Sequence, residues 1–416
     1  MTRPHIFRSL TLLTGFALAA CQTVPDASPI PGHPTKRGVA QPVALPPAPP
    51  VAKRPPPPVD AAPEESVLER PSMFAALEGW EAIDAVPALE AFRRSCRIWE
   101  GADDGKELSP RLPQYGTFAD WRPACRMAGK VRPSQARAFF EAQFRPVTIV
   151  TPEASDGLLT GYYEPELDVR RVADAEFSEP ILARPKTDKL RLQPRSKISE
   201  ATSRVIAYGR PADVFFMQIQ GSGRIRFPDG LNIRAAFAGH NGHPYTSIGR
   251  KLIEWGELSK SKASKGAIEA WMADAGPMRT KSLMNENARY IFFEEQSIPE
   301  NTGPNGAMRV PLTDMGSVAV DPRYHPYGTV ALLSTRVPAR PGDYKGEPRH
   351  LLVVGQDTGG AIKGPLRADL FFGAGEAAGK LAGVMKHRTR WTLLLPKAIA
   401  PDMIVLGEEV RVAEAP

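Results

Sequence analysis

The chain has 416 residues, 42% of them hydrophobic, and carries a formal net charge of +7. That length holds about two globular domains once tails are set aside, with enough apolar residues for a sizeable core. The mild basic excess favours an acidic partner without naming one.

The N-terminus, MTRPHIFRSLTLLTGFALAAC, joins a basic start to a short apolar run that ends in Leu18-Ala19-Ala20-Cys21. The run is too short to span a membrane after maturation and reads as an export signal over residues 1–21. Its ending resembles a bacterial lipobox, in which the cysteine is lipidated; several acyl chains on Cys21, at about 0.8 kcal/mol per buried methylene, give stable anchoring. Outside the cytoplasm nucleic acid is a poor partner, whereas a cell-wall polymer carrying peptide carboxylates suits the charge. Residues 22–70 are rich in Pro and Ala, with four consecutive prolines at 55–58. They read as a stiff tether that, at about 3.1 Å per residue, reaches on the order of 100 Å.

Folded sequence is expected from Pro71. Met73 to Trp99 carries Leu77, Trp80 and Ile83, then Leu89, Phe92, Cys96 and Trp99, at helical spacing with an interruption at Pro87. A second helix is expected after Ser134, read as its cap. Cys96 and Cys125, an even pair in an exported chain, are read as a disulfide, two buried thiols being the other reading. From Leu158 the pattern changes to short apolar runs bounded by Gly, Pro and Asp: LLTGYYEP, PILARP, DVFFMQIQGSG, RIRFPDG and YIFFEE, all read as strands. Ile248 to Leu283 reads as helical with a break at Gly276-Pro277. Five more strands follow: GSVAVDP, TVALLST, HLLVVGQD, DLFFG and RWTLLLP.

Three matches are discounted on their chemistry. Gly373, Gly375 and Ala378 fit a loose dinucleotide fingerprint, but no acidic residue follows at the distance a ribose contact needs. Gly359-Gly360-Ala361-Ile362-Lys363-Gly364 has the composition of a phosphate loop, but the lysine precedes the last glycine and no Ser or Thr follows for magnesium. His240 and His243 lack a nearby acidic or cysteine ligand, so they read as loop histidines. No cofactor and no metal is expected.

The carboxylates carry more. Asp369 runs straight into Leu370-Phe371-Phe372, a setting in which desolvation keeps a carboxyl protonated near neutral pH and able to donate to a leaving oxygen. Asp357 follows the apolar LLVVG run and could orient the first acid, or simply open the turn at Thr358-Gly359-Gly360. Tyr162, Tyr163 and Trp391 could stack on sugars or belong to the core.

Together, GSVAVDPRYHPYGT with Asp321, QDTGGAIKG with Asp357 and RADLFFG with Asp369 resemble the three-aspartate domain of bacterial cell-wall enzymes. Upstream, LLTGYYEPEL, DVFFMQIQGSGRI and NARYIFFEE resemble the membrane-bound lytic murein transglycosylase A family, the match covering roughly residues 71–396. The resemblance implies a mainly β, α+β fold. A double-psi β-barrel catalytic domain is built from residues 71–160 and 301–400, around an inserted β-rich substrate-binding domain at 161–300, with a tail at 401–416. It implies Asp369 as acid/base, Asp357 beside it and Asp321 in support. Thr160, Gly161, Tyr162 and Tyr163 at the domain junction, with Gln218, Gln220, Gly221, Ser222 and Lys363, would meet a glycan strand in the cleft.

The expected reaction is cleavage of the β-1,4 bond between N-acetylmuramic acid and N-acetylglucosamine with formation of 1,6-anhydro ends. The expected place is the periplasmic face of the outer membrane, in reach of other cell-wall enzymes. A two-carboxylate hydrolase and a non-catalytic wall-binding lipoprotein are the alternatives.

Overall fold

The computed structural model describes residues 73–151, 156–260, 263–299, 302–399 and 403–405. The signal, Cys21 and the proline-rich tether lie outside the described residues. An aromatic-rich helical layer comes first: α1 (Val86–Trp99), α2 (Phe118–Ala128) and α3 (Ala136–Gln143). Pro87 does not interrupt α1 but sits in its first turn, where the missing N–H costs nothing. Leu89, Phe92, Cys96 and Trp99 share its buried face. Phe92 meets Trp99, Trp121, Phe139, Phe140 and Phe144 at ring separations of 5.5 to 6.4 Å. Ser134 does not cap a helix; it lies in a 3-10 turn, Pro133–Gln135, that leads into α3. A disulfide joins Cys96 of α1 to Cys125 of α2, with Cα atoms 5.4 Å apart.

The barrel begins with β1 (Phe144–Val150) and β2 (Gly157–Glu164). The expected boundary at 160/161 falls inside β2, which continues to Glu164 before the chain leaves the barrel. The inserted unit contains β3 (Glu166–Asp168), β4 (Glu179–Leu182), the single turn α4 (Asp188–Arg191) and β5 (Val205–Gly209). It continues with α5 (Pro211–Gln220), β6 (Gly223–Arg226), β7 (Asn232–His240), α6 (Ile248–Glu254), α7 (Lys265–Asn285) and β8 (Ile291–Gln296). Its main sheet has the order β3-β6-β7-β8, and β4 pairs with β5.

The run DVFFMQIQ, expected as a strand, is helix α5. Pro211 sits in its first turn and Gly221, at φ 91°, takes the left-handed position that closes it. Val214 and Met217 pack toward the sheet, while Phe215 and Phe216 pack toward α6 and α7. Burial on both sides erases the periodicity that separates a helix from a strand. In α7 the break falls at Gly276, whose φ of 78° and ψ of 171° leave the helical region.

The chain then returns to the barrel through β9 (Ser317–Val320), β10 (Val330–Val337), β11 (Glu347–Asp357), β12 (Arg367–Ala374), helix α8 (Gly375–Ala382) and β13 (Lys386–Pro396). The ring closes as β10-β11-β9-β12-β2-β13 and back to β10, a six-stranded barrel of mixed parallel and antiparallel pairs. β1 pairs with the end of β13, and β14 (Met403–Val405), from the expected tail, runs parallel to β1. Among the described residues no helix is long and apolar enough to cross a membrane.

Candidate active site

Four strands place the acids by register. Thr160 on β2 pairs with Asp369 on β12, Asp369 with Ala319 on β9, and Ala319 with Asp357 at the end of β11. Residues paired across adjacent strands point to the same face, so these four side chains form one row. The two aspartates stand two strands apart, about 10 Å between backbones, with only the Ala319 methyl between them. Tyr162, one rung along β2, reaches diagonally to Asp357 and packs on Phe371 at 5.3 Å.

The two carboxyl groups have different surroundings. Asp357 accepts from the Tyr162 hydroxyl at 2.9 Å through one oxygen and from the Ala307 N–H at 2.9 Å through the other. Burial raises its pKa, opposed by the Thr358 and Ala307 N–H groups and by Tyr162. Its backbone is fixed from behind by Gln356, which donates to the Ala91 carbonyl and Ser95 Oγ of α1 and accepts from Ser317. The loop supplying Ala307 approaches so closely that a Cβ on Gly306 would lie 2.6 Å from the Gln356 carbonyl oxygen. That contact admits only glycine.

Asp369 accepts at Oδ1 from the Thr160 hydroxyl at 2.5 Å, and Thr160 Oγ1 in turn accepts from Arg367 Nη2 at 2.8 Å. Because Arg367 occupies that acceptor, the Thr160 hydrogen is directed to Asp369. Burial pushes the Asp369 carboxyl up to about 6, against the downward pull of Thr160 and Arg367 and with a further rise from the Asp357 charge. Asp321 is different again. It is fully buried and accepts from the Gly364 N–H at 2.9 Å and from the Arg323 guanidinium at 2.7 Å. Burial pushes its carboxyl up, but Arg323 and the Gly364 N–H outweigh this and hold it below the usual range.

Asp357 and Asp369 open into a cleft of about 1400 Å³ between the barrel mouth and the inserted unit. Of the residues named from the resemblance, Tyr162, Tyr163, Gln218, Gln220, Gly221, Ser222 and Lys363 line it, whereas Thr160, Gly161 and Asp321 do not. The Gln220 carboxamide oxygen accepts from the Tyr163 N–H at 3.1 Å. The buried Gln218 carboxamide lies near the Tyr290 hydroxyl but forms no well-aligned hydrogen bond. Trp391 is no sugar platform: it is buried and stacks on His325 at 4.8 Å, away from the cleft.

The exposed aromatic in the wall is Phe237 of β7, which sequence reading missed because β7 was not recognised as a strand. His240 and His243 also line the cleft, their ring nitrogens engaging the Gly242 N–H and the Leu192 carbonyl. Among the described residues no group of three or more His, Cys, Asp or Glu is placed to hold a metal.

A closed barrel with two differently hydrogen-bonded buried carboxyls at its mouth, faced by an inserted β unit across a cleft of about 1400 Å³, defines a two-part, carboxyl-centred cleft protein. Family models match both parts: the MltA specific insert domain over residues 158–294 and the 3D domain over residues 316–395. The membrane-bound lytic murein transglycosylase A of Escherichia coli K12 is 36% identical over 240 residues, 56% of this chain and 64% of the relative, so the match spans just under two thirds of that protein. The crystal structure of a membrane-bound lytic murein transglycosylase from Agrobacterium tumefaciens superposes with a TM-score of 0.66 at 30% identity, over 78% of this chain and 96% of the other. The structure of Escherichia coli MltA with bound chitohexaose gives 0.58 at 29% identity, over 77% and 91%. The chain belongs to the membrane-bound lytic murein transglycosylase A family.

Proposed function

We propose that the protein is a peptidoglycan lytic transglycosylase that uses Asp369 alone as acid and then base. The observation that carries this reading is the inequality of the two carboxyls: both Asp357 oxygens are engaged, whereas among the described residues Asp369 has only Oδ1 engaged, by Thr160, and its pKa is raised to about 6. In the first step protonated Asp369 donates from Oδ2 to the glycosidic oxygen as the bond to muramoyl C1 breaks. In the second its carboxylate takes the proton of the same sugar's C6 hydroxyl as O6 bonds to C1, which gives a 1,6-anhydro end and restores the acid. Attacker and target share one ring, so no water is activated and the effective molarity is high. A two-carboxylate hydrolase would need a second free acid to handle water or attack carbon.

Asp357 would hold the Tyr162 wall and raise the pKa of Asp369 by its charge, with Asp321 bracing the loop through Gly364. Gln218 would brace the wall beside the Tyr290 hydroxyl, and Phe237 would offer an apolar face to the sugars. By family analogy Cys21 would anchor the protein on the periplasmic face of the outer membrane, with residues 22–70 as tether.

Mass spectrometry of purified wall after digestion tests the reaction. Anhydromuramoyl ends are expected; reducing ends would make the protein a hydrolase, and the absence of products a binder. Asp369→Asn is expected to lower turnover by at least about 10³-fold while glycan binding persists. Turnover retained in that variant would overturn the assignment.

A further inference from the structure

A neutral glycan gives no reason for the charge of the far wall of this cleft. Arg184, Arg191 and Arg289 of the inserted unit line it, with Arg309 and Lys363 from the barrel loops opposite. The acids that line it are Asp357, Asp369 and Glu294, and the first two belong to the site already described. Arg184 donates to the Ala238 carbonyl, Arg191 to the His240 carbonyl and Asp188, and Arg289 to the His243 carbonyl. A guanidinium carries five N–H donors, so each retains donors for a ligand, and Arg184 and Arg289 pair with no carboxylate among the described residues.

The three arginines border one stretch of the wall, donating to the carbonyls of Ala238, His240 and His243. His240 lies in the field of all three, and burial together with these charges holds its imidazole below the usual pKa. Arg289 also lies close to the barrel: a Cβ on Gly360 would be 3.7 Å from its Cζ, and Gly360 is three residues from Asp357. The cationic wall therefore runs from the inserted unit up to the loop that follows Asp357.

We infer that this wall, centred on Arg184 and Arg289, is a carboxylate subsite that reads acidic groups carried on the glycan. The inference rests on the glycan reading above and deepens it by naming what the cleft recognises beside the sugar backbone. Planar guanidinium forks match carboxylates in pairs of hydrogen bonds, which a hydroxyl-bearing sugar does not require. Two groups on a murein strand have this chemistry: carboxylates of peptides amide-linked to the lactyl group, and the lactyl carboxylate itself where the peptide has been removed.

The test measures binding rather than turnover, in the Asp369→Asn background, so it reads the wall even if the proposed reaction is wrong. Affinity is compared for peptide-bearing strands, for strands stripped of peptide by an amidase, and for neutral chitohexaose. Arg184→Gln with Arg289→Gln is expected to weaken at least one carboxylate-bearing ligand by roughly 10-fold or more and chitohexaose by less than about twofold. A loss confined to peptide-bearing strands assigns the subsite to peptide carboxylates; a loss that includes stripped strands assigns it to the lactyl group.

Equal losses on all three ligands, or no loss on either charged strand, would overturn the inference. Retained chitohexaose binding shows that the variant is folded, and Arg289→Lys, which keeps the charge and loses the fork, is expected to fall between. As an independent measurement without these arginine substitutions, rising salt should weaken the charged strands and leave chitohexaose unchanged. A salt response common to all three would again overturn it.

Discussion

Arg367 stands two residues before Asp369 on β12 and acts on it in two ways. Its charge pulls the Asp369 pKa down, and its Nη2 donates to Thr160 Oγ1, which leaves the hydroxyl hydrogen directed at Asp369. Burial still wins and leaves the carboxyl at about 6. As the protonated form starts the proposed reaction, kcat/KM should fall as pH rises through about 6. Arg367→Gln removes a downward pull, so this falling limb is expected at higher pH; a limb that stays or moves down would show that another group titrates. Thr160→Val removes the hydrogen bond to the carboxylate that must form after the first proton transfer. It is expected to lower kcat on the order of 10- to 100-fold, measured on isolated glycan strands at the pH of maximal rate.

At the scale of elements, the junction between barrel and insert is held by a buried charge cluster. Glu164, the last residue of β2 and fully buried, accepts from Arg234 on β7 at 2.5 Å and from Arg224 on β6 at 3.0 Å, while Arg234 also donates to the Thr302 carbonyl. Replacing one member of such a cluster leaves the other charges without compensation. Glu164→Gln is expected to cost about 3 kcal/mol, read as a lower urea midpoint. An unchanged midpoint would mean that the arginines find other acceptors.

This element scale also shows where sequence was legible. β2, β9, β11 and β12 could be read because short apolar runs end at Gly, Asp or Pro, and they carry the row from Thr160 to Asp357. α5 could not, because its apolar residues serve two cores at once. Arg184, Phe237 and Arg289 could not be grouped from sequence, since they stand in three separate segments that share a wall only after the inserted unit has folded. Trp391 and Tyr163, alike as aromatics in sequence, part company through what they touch: His325 in the core for one, the open cleft for the other.

Across the whole molecule, the inserted sheet is built largely from neighbours in sequence, such as β6 with β7, whereas the barrel pairs β2 with β12 across the entire insert. Long-range parallel pairing is slow to form, because the loop must close before any contact offsets its entropy. On refolding with the disulfide intact, glycan binding in the cleft is expected to recover after most of the far-ultraviolet circular dichroism signal. Simultaneous recovery would mean that barrel and insert form in one step. On the proposed function, the same topology governs when the site is complete. Thr160 and Asp369 are 209 residues apart. A chain whose last strands are not yet available holds Thr160 without Asp369. Under the proposed function, topology would then act as a safety catch that keeps the site unarmed until nearly the whole chain is present.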